Sequence, residues 1–231
     1  MELKLMTYNI ASGHNLKCER NFDFAVDVIK QYAPDVVGLN EVGKKLPEGI
    51  SSHTGYLAEK TGMNGYFAEA LNISGGPYGN ALLSRFPITD AETVHIPDAP
   101  KVDDEYYEHR CLLVSKLSLP DGRKINYLVS HFGLAKGERV NAVKTVCDIL
   151  DKLTGPTVFG GDLNMTPDDP RIAPLYQRMT SVDDTLYTFP SDKPDRKIDY
   201  IFVTPEFKVK DVFVPDTQNS DHAPLCANVE F

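Results

Sequence analysis

Short apolar and alternating runs recur along the chain, and they predict a protein built mainly of β-strands. Residues 35–40 are almost wholly apolar, which is typical of a strand buried on both faces of a sheet. Alternating runs over residues 111–119 and 124–130 flank Pro120-Asp121-Gly122-Arg123, a sequence typical of a hairpin turn. Strand-like runs also cover residues 3–9, 65–70, 80–84, 157–160, 198–203, 209–214 and 225–231.

Three segments show the spacing of helices. Residues 21–32 are followed by the stop signal Pro34, and residues 54–61 end at Gly62. Residues 138–153 form the clearest amphipathic helix. Its apolar positions are Val140, Val143, Val146, Cys147 and Leu150. Residues 74–79 predict a glycine-rich turn and residues 97–108 a long surface loop. Because strands outnumber helices and helices fall between strand pairs, the pattern predicts two packed sheets with helices outside.

Composition narrows the class of protein. With 231 residues, 42% of them hydrophobic and 25% charged, the chain is expected to form one globular domain over residues 1–231. The net charge of -9 disfavours nucleic acid as the main partner, because duplex binding uses a surplus of Lys and Arg. No apolar stretch approaches the ~20 residues that span a bilayer, and no signal peptide is recognisable. A cytoplasmic monomer is therefore expected, unless a leader has been removed.

The four cysteines are scattered along the chain without a Cys-x-x-Cys pair. This spacing favours buried free thiols over a structural zinc site or a redox motif.

Polar motifs end several of the predicted strands. They are Thr7-Tyr8-Asn9, Leu39-Asn40-Glu41, Ser130-His131-Phe132, Gly160-Gly161-Asp162-Leu163-Asn164, Lys197-Ile198-Asp199-Tyr200 and Ser220-Asp221-His222. An unpaired buried charge is costly, so acidic and imidazole groups at the ends of core strands indicate one polar site at a sheet edge. Carboxylates, amides and histidines together are typical of a hard divalent cation acting on a phosphate ester.

Each motif also has a structural explanation. Asp162 and Asn164 share one side of a strand end, where they bind a water or phosphate oxygen, or they form an ordinary turn. His222, next to Asp221, suits acid–base chemistry, or it is an incidental surface histidine. A buried Asp199 needs a partner, which the His222 imidazole would supply. The occurrence of all these signals in one chain favours a functional site.

Two charged residues, Glu41 and Arg110, either bind a ligand or form salt bridges within the protein. Glu41 closes a buried strand and needs a cation, which is either a metal or a salt-bridge partner such as Lys44 or Lys45. Arg110 follows an acidic loop. It is either a bidentate phosphate clamp or a counter-charge for residues 103–105.

The order of these residues resembles the endonuclease/exonuclease/phosphatase family, the deoxyribonuclease I-like metal-dependent hydrolases. The matching positions are Asn9, Glu41, His131, Asp162, Asn164, Asp199, Asp221 and His222. Residues 78–88 also resemble the small bacterial members, and the resemblance covers essentially the whole chain. It implies an α/β fold, the four-layer α/β-β/α sandwich, and Mg²⁺- or Mn²⁺-dependent hydrolysis of a phosphate-ester substrate.

The resemblance implies a metal centre and an activated water. Glu41 would be the principal metal ligand, with Asn9 and Asp221 nearby in the metal shell. Asp162 would align and deprotonate the attacking water, and Asn164 would hold that water or a phosphate oxygen.

The resemblance also implies roles around the phosphate. His222, oriented by Asp199, would bear on the phosphoryl oxygens or act as the acid–base group. His131 would donate to the phosphate from the other side. Arg110 and Asn80 are the expected substrate-binding positions.

Departures from the family pattern bear on the substrate. Asn40 stands where the family usually has glutamine, and no acidic residue stands near Ala11, as it does in the abasic-site endonucleases. His131 resembles the two-histidine branch, which includes deoxyribonuclease I, sphingomyelinase and inositol-phosphate phosphatases. With the negative charge, these features favour a small or lipid-derived phosphoester over nucleic acid.

Two other hypotheses stay open at this stage. A nuclease would need a hidden basic face, formed by Lys44, Lys45, Arg85, Lys101, Arg110 and Lys136. A non-catalytic binding protein would keep the fold without the chemistry. The loops that select the substrate carry Tyr78, Tyr106 and Tyr107, which either line a pocket or pack on the surface.

Overall fold

The computed structural model describes residues 1–43, 49–73, 75–102 and 104–231. Its helices are α1 (Asp23–Tyr32), α2 (His53–Thr61), α3 (Lys136–Leu150) and α4 (Ala173–Tyr176). Its strands are β1 (Glu2–Asn9), β2 (Val36–Gly43), β3 (Asn64–Ile73), β4 (Gly76–Ser84), β5 (Ile88–His95), β6 (Cys111–Ser118), β7 (Lys124–Ser130), β8 (Thr157–Asp162), β9 (Thr180–Ser181), β10 (Asp199–Val203), β11 (Lys208–Phe213) and β12 (Leu225–Glu230).

The strands form two six-stranded mixed sheets, each with one parallel pair of neighbouring strands. One six-stranded sheet has the order β11-β12-β1-β2-β4-β3, and the other has the order β5-β6-β7-β8-β10-β9. Strands β1 and β2 are parallel neighbours, as are β7 and β8 in the second sheet. The carboxyl ends of parallel neighbours lie at the same edge of a sheet. The polar motifs that end these strands are therefore brought together in pairs.

Apolar side chains divide the molecule into layers. Residues of both sheets, such as Leu225 and Val129, pack into one cluster between the sheets. The outer face of the first sheet packs on α1 and α2 through Ile29 and Leu57, and that of the second packs on α3 through Val146. Burying an aliphatic side chain fully in these layers stabilises the fold by about 1.5–3 kcal/mol relative to leaving it exposed. The layers run helix, sheet, sheet, helix, which confirms the predicted α/β sandwich.

Most predicted strands and helices are confirmed within a few residues, and the loop between β5 and β6 lacks regular structure in its described part. The sequence pattern does not predict β5, because this strand has only half-buried and exposed residues. The segment predicted as a glycine-rich turn is largely strand, since β4 begins at Gly76, while Ser74 lies outside the described residues. In α3, Val140 is 51% exposed, and Ala142 is buried in its place.

The cysteines are free, and three of them, Cys111, Cys147 and Cys226, are buried as predicted, whereas Cys18 is exposed. None of the helices in the described ranges combines the length and apolar character needed to cross a bilayer.

Candidate active site

Strand ends from both sheets meet at one edge of the sandwich. In the first sheet Asn9 pairs with Asn40, and in the second Asp162 faces Asp199 across the antiparallel β8–β10 pair. The side chains of Asn9 and Asp162 touch across the two sheets, with Nδ2 3.1 Å from Oδ2. His222 precedes β12 by a short turn and joins the same edge.

A bulge turns Glu41 out of β2. Leu39 faces Ala81 and Val42 faces Gly79, so β2 carries one residue more than β4 between these pairs. Glu41 itself has a φ of 55°, in the left-handed region that residues other than glycine seldom adopt. Such strain costs about 1–3 kcal/mol and is concentrated at functional sites. The bulge explains why a half-buried carboxylate interrupts an otherwise buried strand.

Asn40 forms a buried bridge between the sheets. Its Nδ2 donates to Oδ1 of Asn80 at 2.8 Å, and its Oδ1 accepts from the backbone N–H of Asp162 at 2.9 Å. Asn80 in turn donates to the carbonyl of Cys111 at 3.0 Å. Both amides are buried, so the bridge ties β2 and β4 to β8 and β6. Because Asn80 directs its amide to protein groups, its substrate-binding role stays a prediction.

The carboxylate of Asp162 is the meeting point of the site and is only 1% exposed. Its Oδ1 accepts from the backbone N–H of Asn164 at 2.9 Å, and its Oδ2 accepts from Nδ2 of Asn9 at 3.1 Å. The Nε2 atoms of His131 and His222 lie 3.4 and 3.6 Å from the same Oδ2 atom. The carboxylate thus faces both histidines at once.

Glycine is required directly before this carboxylate. Gly161 has a φ of 147°, and a Cβ placed there would lie 1.8 Å from the carbonyl oxygen of Ser130. The close approach of these backbones holds the end of β8 against the end of β7, where His131 follows.

His222 is supported by a carboxylate behind its ring. Nδ1 of His222 is 2.9 Å from Oδ2 of Asp199, which also accepts from the hydroxyl of Thr188 at 2.5 Å. The ring packs on Phe189 with a centroid distance of 4.7 Å. Burial lowers the pKa of His222, but the carboxylates of Asp199 and Asp162 outweigh it and raise this pKa overall. Burial also raises the pKa of Asp162.

His131 has a cation behind its ring instead. Nη1 of Arg110 lies 3.1 Å from Nδ1 of His131, and Nη2 of Arg110 pairs with Glu108 at 2.9 Å. Burial, together with the charges of Arg110 and His222, keeps the pKa of His131 well below its usual value. Arg110 thus has Glu108 as a counter-charge, whereas the sequence predicted residues 103–105; Asp103 lies outside the described residues.

Asn164 lies between Asp162 and His131. Its Nδ2 donates to the carbonyl of Phe132 at 2.9 Å and is 3.1 Å from Nε2 of His131. Its backbone φ of 49° is left-handed, a conformation that asparagine tolerates.

Asn9 and Asp221 border Glu41 and His222. Asn9 donates through Nδ2 to Oε1 of Glu41 at 3.2 Å, while its Oδ1 accepts from the N–H of Ala11 at 3.1 Å. The Ser220 hydroxyl is 2.8 Å from the carbonyl oxygen of Asn9 and 3.2 Å from Oδ1 of Asp221. Ser220 therefore anchors the Asp221 segment at the end of β1. The metal-ligand role of Asn9 stays a prediction, since its amide oxygen faces Ala11.

The carboxylates fit a hard divalent cation. Glu41 and Asp221 offer carboxylate oxygens, which suit Mg²⁺ or Mn²⁺, and the Asn9 amide nitrogen donates to Glu41. Lys44 and Lys45, the alternative partners of Glu41, lie outside the described residues. Within the described ranges, ligand atoms of Asp162, Asp199 and His222 also lie within 4.8 Å of one another.

Sequence reasoning missed several residues that position these groups: Asn40, Glu108, Thr188 and Ser220. Asn40 and Ser220 lie inside the polar motifs, so the motifs themselves carried the signal. Thr188 and Glu108 reach the site from separate loops, and no local sequence pattern marks them.

Similarity to known proteins extends over nearly the whole chain. The family model described as Endonuclease/Exonuclease/phosphatase family matches residues 6–222. A search of the curated proteins finds no match.

Among solved structures, an endonuclease/exonuclease/phosphatase from Beutenbergia cavernae is 25% identical, with a TM-score of 0.76 over 100% of this chain and 72% of that one. A mannosyl-6-phosphatase of Bacteroides thetaiotaomicron is 16% identical, with a TM-score of 0.76 over 99% of this chain and 100% of that one. TDP2 of D. rerio with a single-strand DNA product is 17% identical, with a TM-score of 0.73 over 100% of this chain and 99% of that one. The last two likenesses concern the fold alone.

Proposed function

The chain belongs to the endonuclease/exonuclease/phosphatase family, whose members hydrolyse phosphate esters, and we propose that it is a Mg²⁺- or Mn²⁺-dependent phosphoesterase. The observation that carries this proposal is the buried carboxylate of Asp162, which faces two histidines at 3.4 and 3.6 Å. Its raised pKa brings the carboxyl closer to neutral pH, where a general base is most effective.

In the proposed reaction, Asp162 orients the attacking water and takes its proton. Asn164 is fixed beside it by the hydrogen bond between its own N–H and Oδ1 of Asp162 at 2.9 Å. We assign Asn164 to holding the water or a phosphate oxygen. Preplaced groups of this kind lower the barrier because they are ordered before the reaction begins.

We propose that Glu41 is the principal ligand of the metal, with Asp221 and Asn9 nearby in the metal shell. Bound there, the cation would supply charge stabilisation to the phosphoryl oxygens. The hydrogen bond from Asn9 to Oε1 of Glu41 at 3.2 Å holds the carboxylate in a single orientation. The left-handed backbone conformation of Glu41 also restricts the direction of this side chain.

The two histidines are assigned to the phosphate and the leaving group. Asp199 accepts from Nδ1 of His222, so Nε2 of His222 is directed to the reacting side. The raised pKa of His222 keeps it protonated near neutral pH, which suits stabilisation of negative charge and donation to the leaving oxygen.

We propose a small or lipid-derived phosphoester as the substrate. A cleft of about 150 Å³ lies beside Glu108 and is lined by Leu71, Tyr107 and His109 among others, while Tyr106 is exposed. This volume is below the roughly 300 Å³ of typical ligand pockets, so it suits a small group. Tyr107 thereby becomes a candidate for substrate contact.

The surroundings support this preference over nucleic acid. Arg85 follows Ser84, which pairs with Val36 at the far end of β2 from Glu41, and Arg110 is buried in the interior. The loop beside the site carries carboxylates, among them Glu108. A duplex binder needs several cations along the phosphates, and these two arginines do not supply that surface.

The proposal is tested by hydrolysis of bis-p-nitrophenyl phosphate and p-nitrophenyl phosphate in parallel, with Mg²⁺, Mn²⁺ or EDTA. His222→Ala and the exposed-surface variant His95→Ala are compared under the same conditions. We expect metal-dependent cleavage that is lost in His222→Ala and kept in His95→Ala. Cleavage of single-strand DNA in preference to both esters would favour the nuclease hypothesis, and no turnover of any ester with any metal would favour a binding protein.

A further inference from the structure

Arg110 lies where a substrate-binding arginine is expected from the sequence, yet it is only 6% exposed. Its Nη2 pairs with Glu108 at 2.9 Å, and its Nη1 lies 3.1 Å from Nδ1 of His131. Its Nε is buried without a partner among the described residues. Two of the three guanidinium nitrogens are therefore directed at protein groups.

The contact between Arg110 and His131 restricts where the imidazole carries its proton. A guanidinium has only N–H donors and stays charged in proteins. The Nδ1 atom of His131 must accept from it, so the single proton of the neutral ring belongs on Nε2. Oδ2 of Asp162, 3.4 Å from Nε2, is an acceptor on that side of the ring.

Asn164 offers a competing arrangement, because its Nδ2 lies 3.1 Å from Nε2 of His131. A bond from Asn164 to Nε2 would leave the ring proton on Nδ1, pointing at the guanidinium of Arg110. Asn164 already donates to the carbonyl of Phe132 at 2.9 Å and gains less from a second acceptor. A buried N–H against a buried cation costs more than one forgone amide hydrogen bond.

We propose that Arg110, held in place by Glu108, is a positioning residue that fixes His131 as the neutral imidazole with its proton on Nε2. In this state the single N–H of His131 faces Asp162 in the free protein and donates to a phosphate oxygen once substrate is bound, and His131 does not exchange protons with substrate. Only the expected changes in kcat rest on the proposed phosphoesterase function. The tautomer is a property of the protein without metal or substrate.

This assignment divides the work between two similar side chains. His222 has a carboxylate on Nδ1, and His131 has a guanidinium on Nδ1. The carboxylate favours an imidazolium, while the guanidinium opposes it. His131 is then the fixed donor of the pair.

The first test is the tautomer of His131 in the metal-free protein, read from ¹⁵N–¹H long-range correlation spectra at neutral pH. Comparison with His131→Gln assigns the resonances. We expect an unprotonated Nδ1 and a protonated Nε2 in His131. A protonated Nδ1 in His131 of the wild-type protein would overturn the inference, whether or not the protein hydrolyses any ester.

The second test uses Arg110→Met, Arg110→Lys and Glu108→Gln, with Arg178→Met as the matched control for loss of a salt-bridged arginine on another surface. In Arg110→Met we expect kcat to fall about 10- to 100-fold with little change in KM. The ¹⁵N spectrum of this variant should show a fraction of His131 with the proton on Nδ1. Arg110→Lys keeps a cation that can only donate, so it should preserve the tautomer and recover part of kcat. Glu108→Gln should give an intermediate loss, and Arg178→Met none.

Melting curves of all variants distinguish misfolding from a loss of positioning. The tautomer of His131 in the wild-type protein is measured without any of these variants. A rise in KM with an unchanged His131 tautomer in Arg110→Met would overturn the inference in favour of a phosphate clamp. If the wild-type protein hydrolyses no phosphate ester but shows the expected tautomer, the proposed function fails and the positioning of His131 by Arg110 stands.

Discussion

Asp162 and Asp199 lie opposite each other in the antiparallel pair of β8 and β10, and they direct their Oδ2 atoms at different ring nitrogens of His222. Opposite residues of such a pair have Cβ atoms about 4.5–5.5 Å apart on one face, which leaves room for an imidazole. The register of β8 and β10 thereby sets both carboxylates against one ring. That register makes His222 the more cationic of the two histidines and keeps Asp162 close to it.

Replacing Asp162 by Asn should remove the proposed general base while keeping its shape. The amide oxygen can still accept the N–H of Asn164, while the bond from Asn9 is lost, so we expect the fold to persist with lower stability and kcat to fall by about 10²- to 10⁴-fold. Steady-state kinetics with bis-p-nitrophenyl phosphate and Mg²⁺ measure the loss.

Asp169→Asn is the matched control for Asp162→Asn. Asp169 makes the same type of turn contact, since its Oδ1 accepts the N–H of Arg171 two residues ahead. It lies outside the proposed site, so activity should be retained. Near wild-type kcat in Asp162→Asn would assign the base to another group.

Glu41→Gln should weaken metal binding directly, because a neutral amide replaces the principal carboxylate ligand. We expect the dissociation constant for Mn²⁺ to rise at least about tenfold, measured by electron paramagnetic resonance of the free ion without substrate. Glu59→Gln, on the exposed face of α2, should leave the affinity unchanged. Equal affinities in Glu41→Gln and the wild-type protein would show that the metal binds elsewhere.

Asn40→Ala should cost both stability and activity. It removes the acceptor of the Asp162 N–H and the donor to Asn80, and two unsatisfied buried groups cost about 2–6 kcal/mol together. Because the bridge also sets the position of Asp162, we expect kcat to fall about tenfold, in proportion to a modest displacement of a catalytic group. Urea unfolding and steady-state kinetics measure the two effects.

Asn126→Ala separates these two effects. Asn126 is also buried. It donates to the carbonyl of Thr154, before β8, and to Thr157 at the start of β8, away from the strand end that carries Asp162. Its loss should lower stability to a similar degree and leave kcat unchanged. If both variants lost activity in parallel with stability, the bridge would have no role of its own in the site.

The layered fold was predictable because local sequence patterns indicate most of its strands and helices. The apolar run of β2 and the hairpin turn before β7 can be recognised from neighbouring residues, whereas β5 cannot, since none of its side chains is fully buried. The convergence of Asp162, Asp199 and His222 was also foreseeable, because polar groups at strand ends need partners.

What the sequence could not supply is the partner of each side chain. Arg110 lies beside several acidic residues in the chain, and only the fold shows that it pairs with Glu108 and contacts His131. Likewise, a left-handed Glu41 depends on the register of β2 against β4. Such facts depend on which backbones meet, and local patterns do not encode that.

The last prediction concerns the pH dependence of stability. Lys197 is 1% exposed, its Nζ donates to the carbonyl of Asp199 at 2.5 Å, and it lies 4.5 Å from the centre of the Tyr200 ring. Burial lowers its pKa to about 8, against an opposing effect of the Asp199 carboxylate. In the unfolded chain an ordinary lysine keeps its proton until about pH 10.4.

Between these two values the unfolded state binds more protons than the native state, so the free energy of unfolding attributable to Lys197 rises with pH. At 1.36 kcal/mol per unit the gain is about 2 kcal/mol from pH 8 to 10, and below pH 8 the full cost of burying the charge is present. Lys197→Met should lack this rise. Urea unfolding of both proteins between pH 7 and 10 measures the difference in slope, and parallel curves would show that Lys197 is not a buried cation whose charge opposes folding.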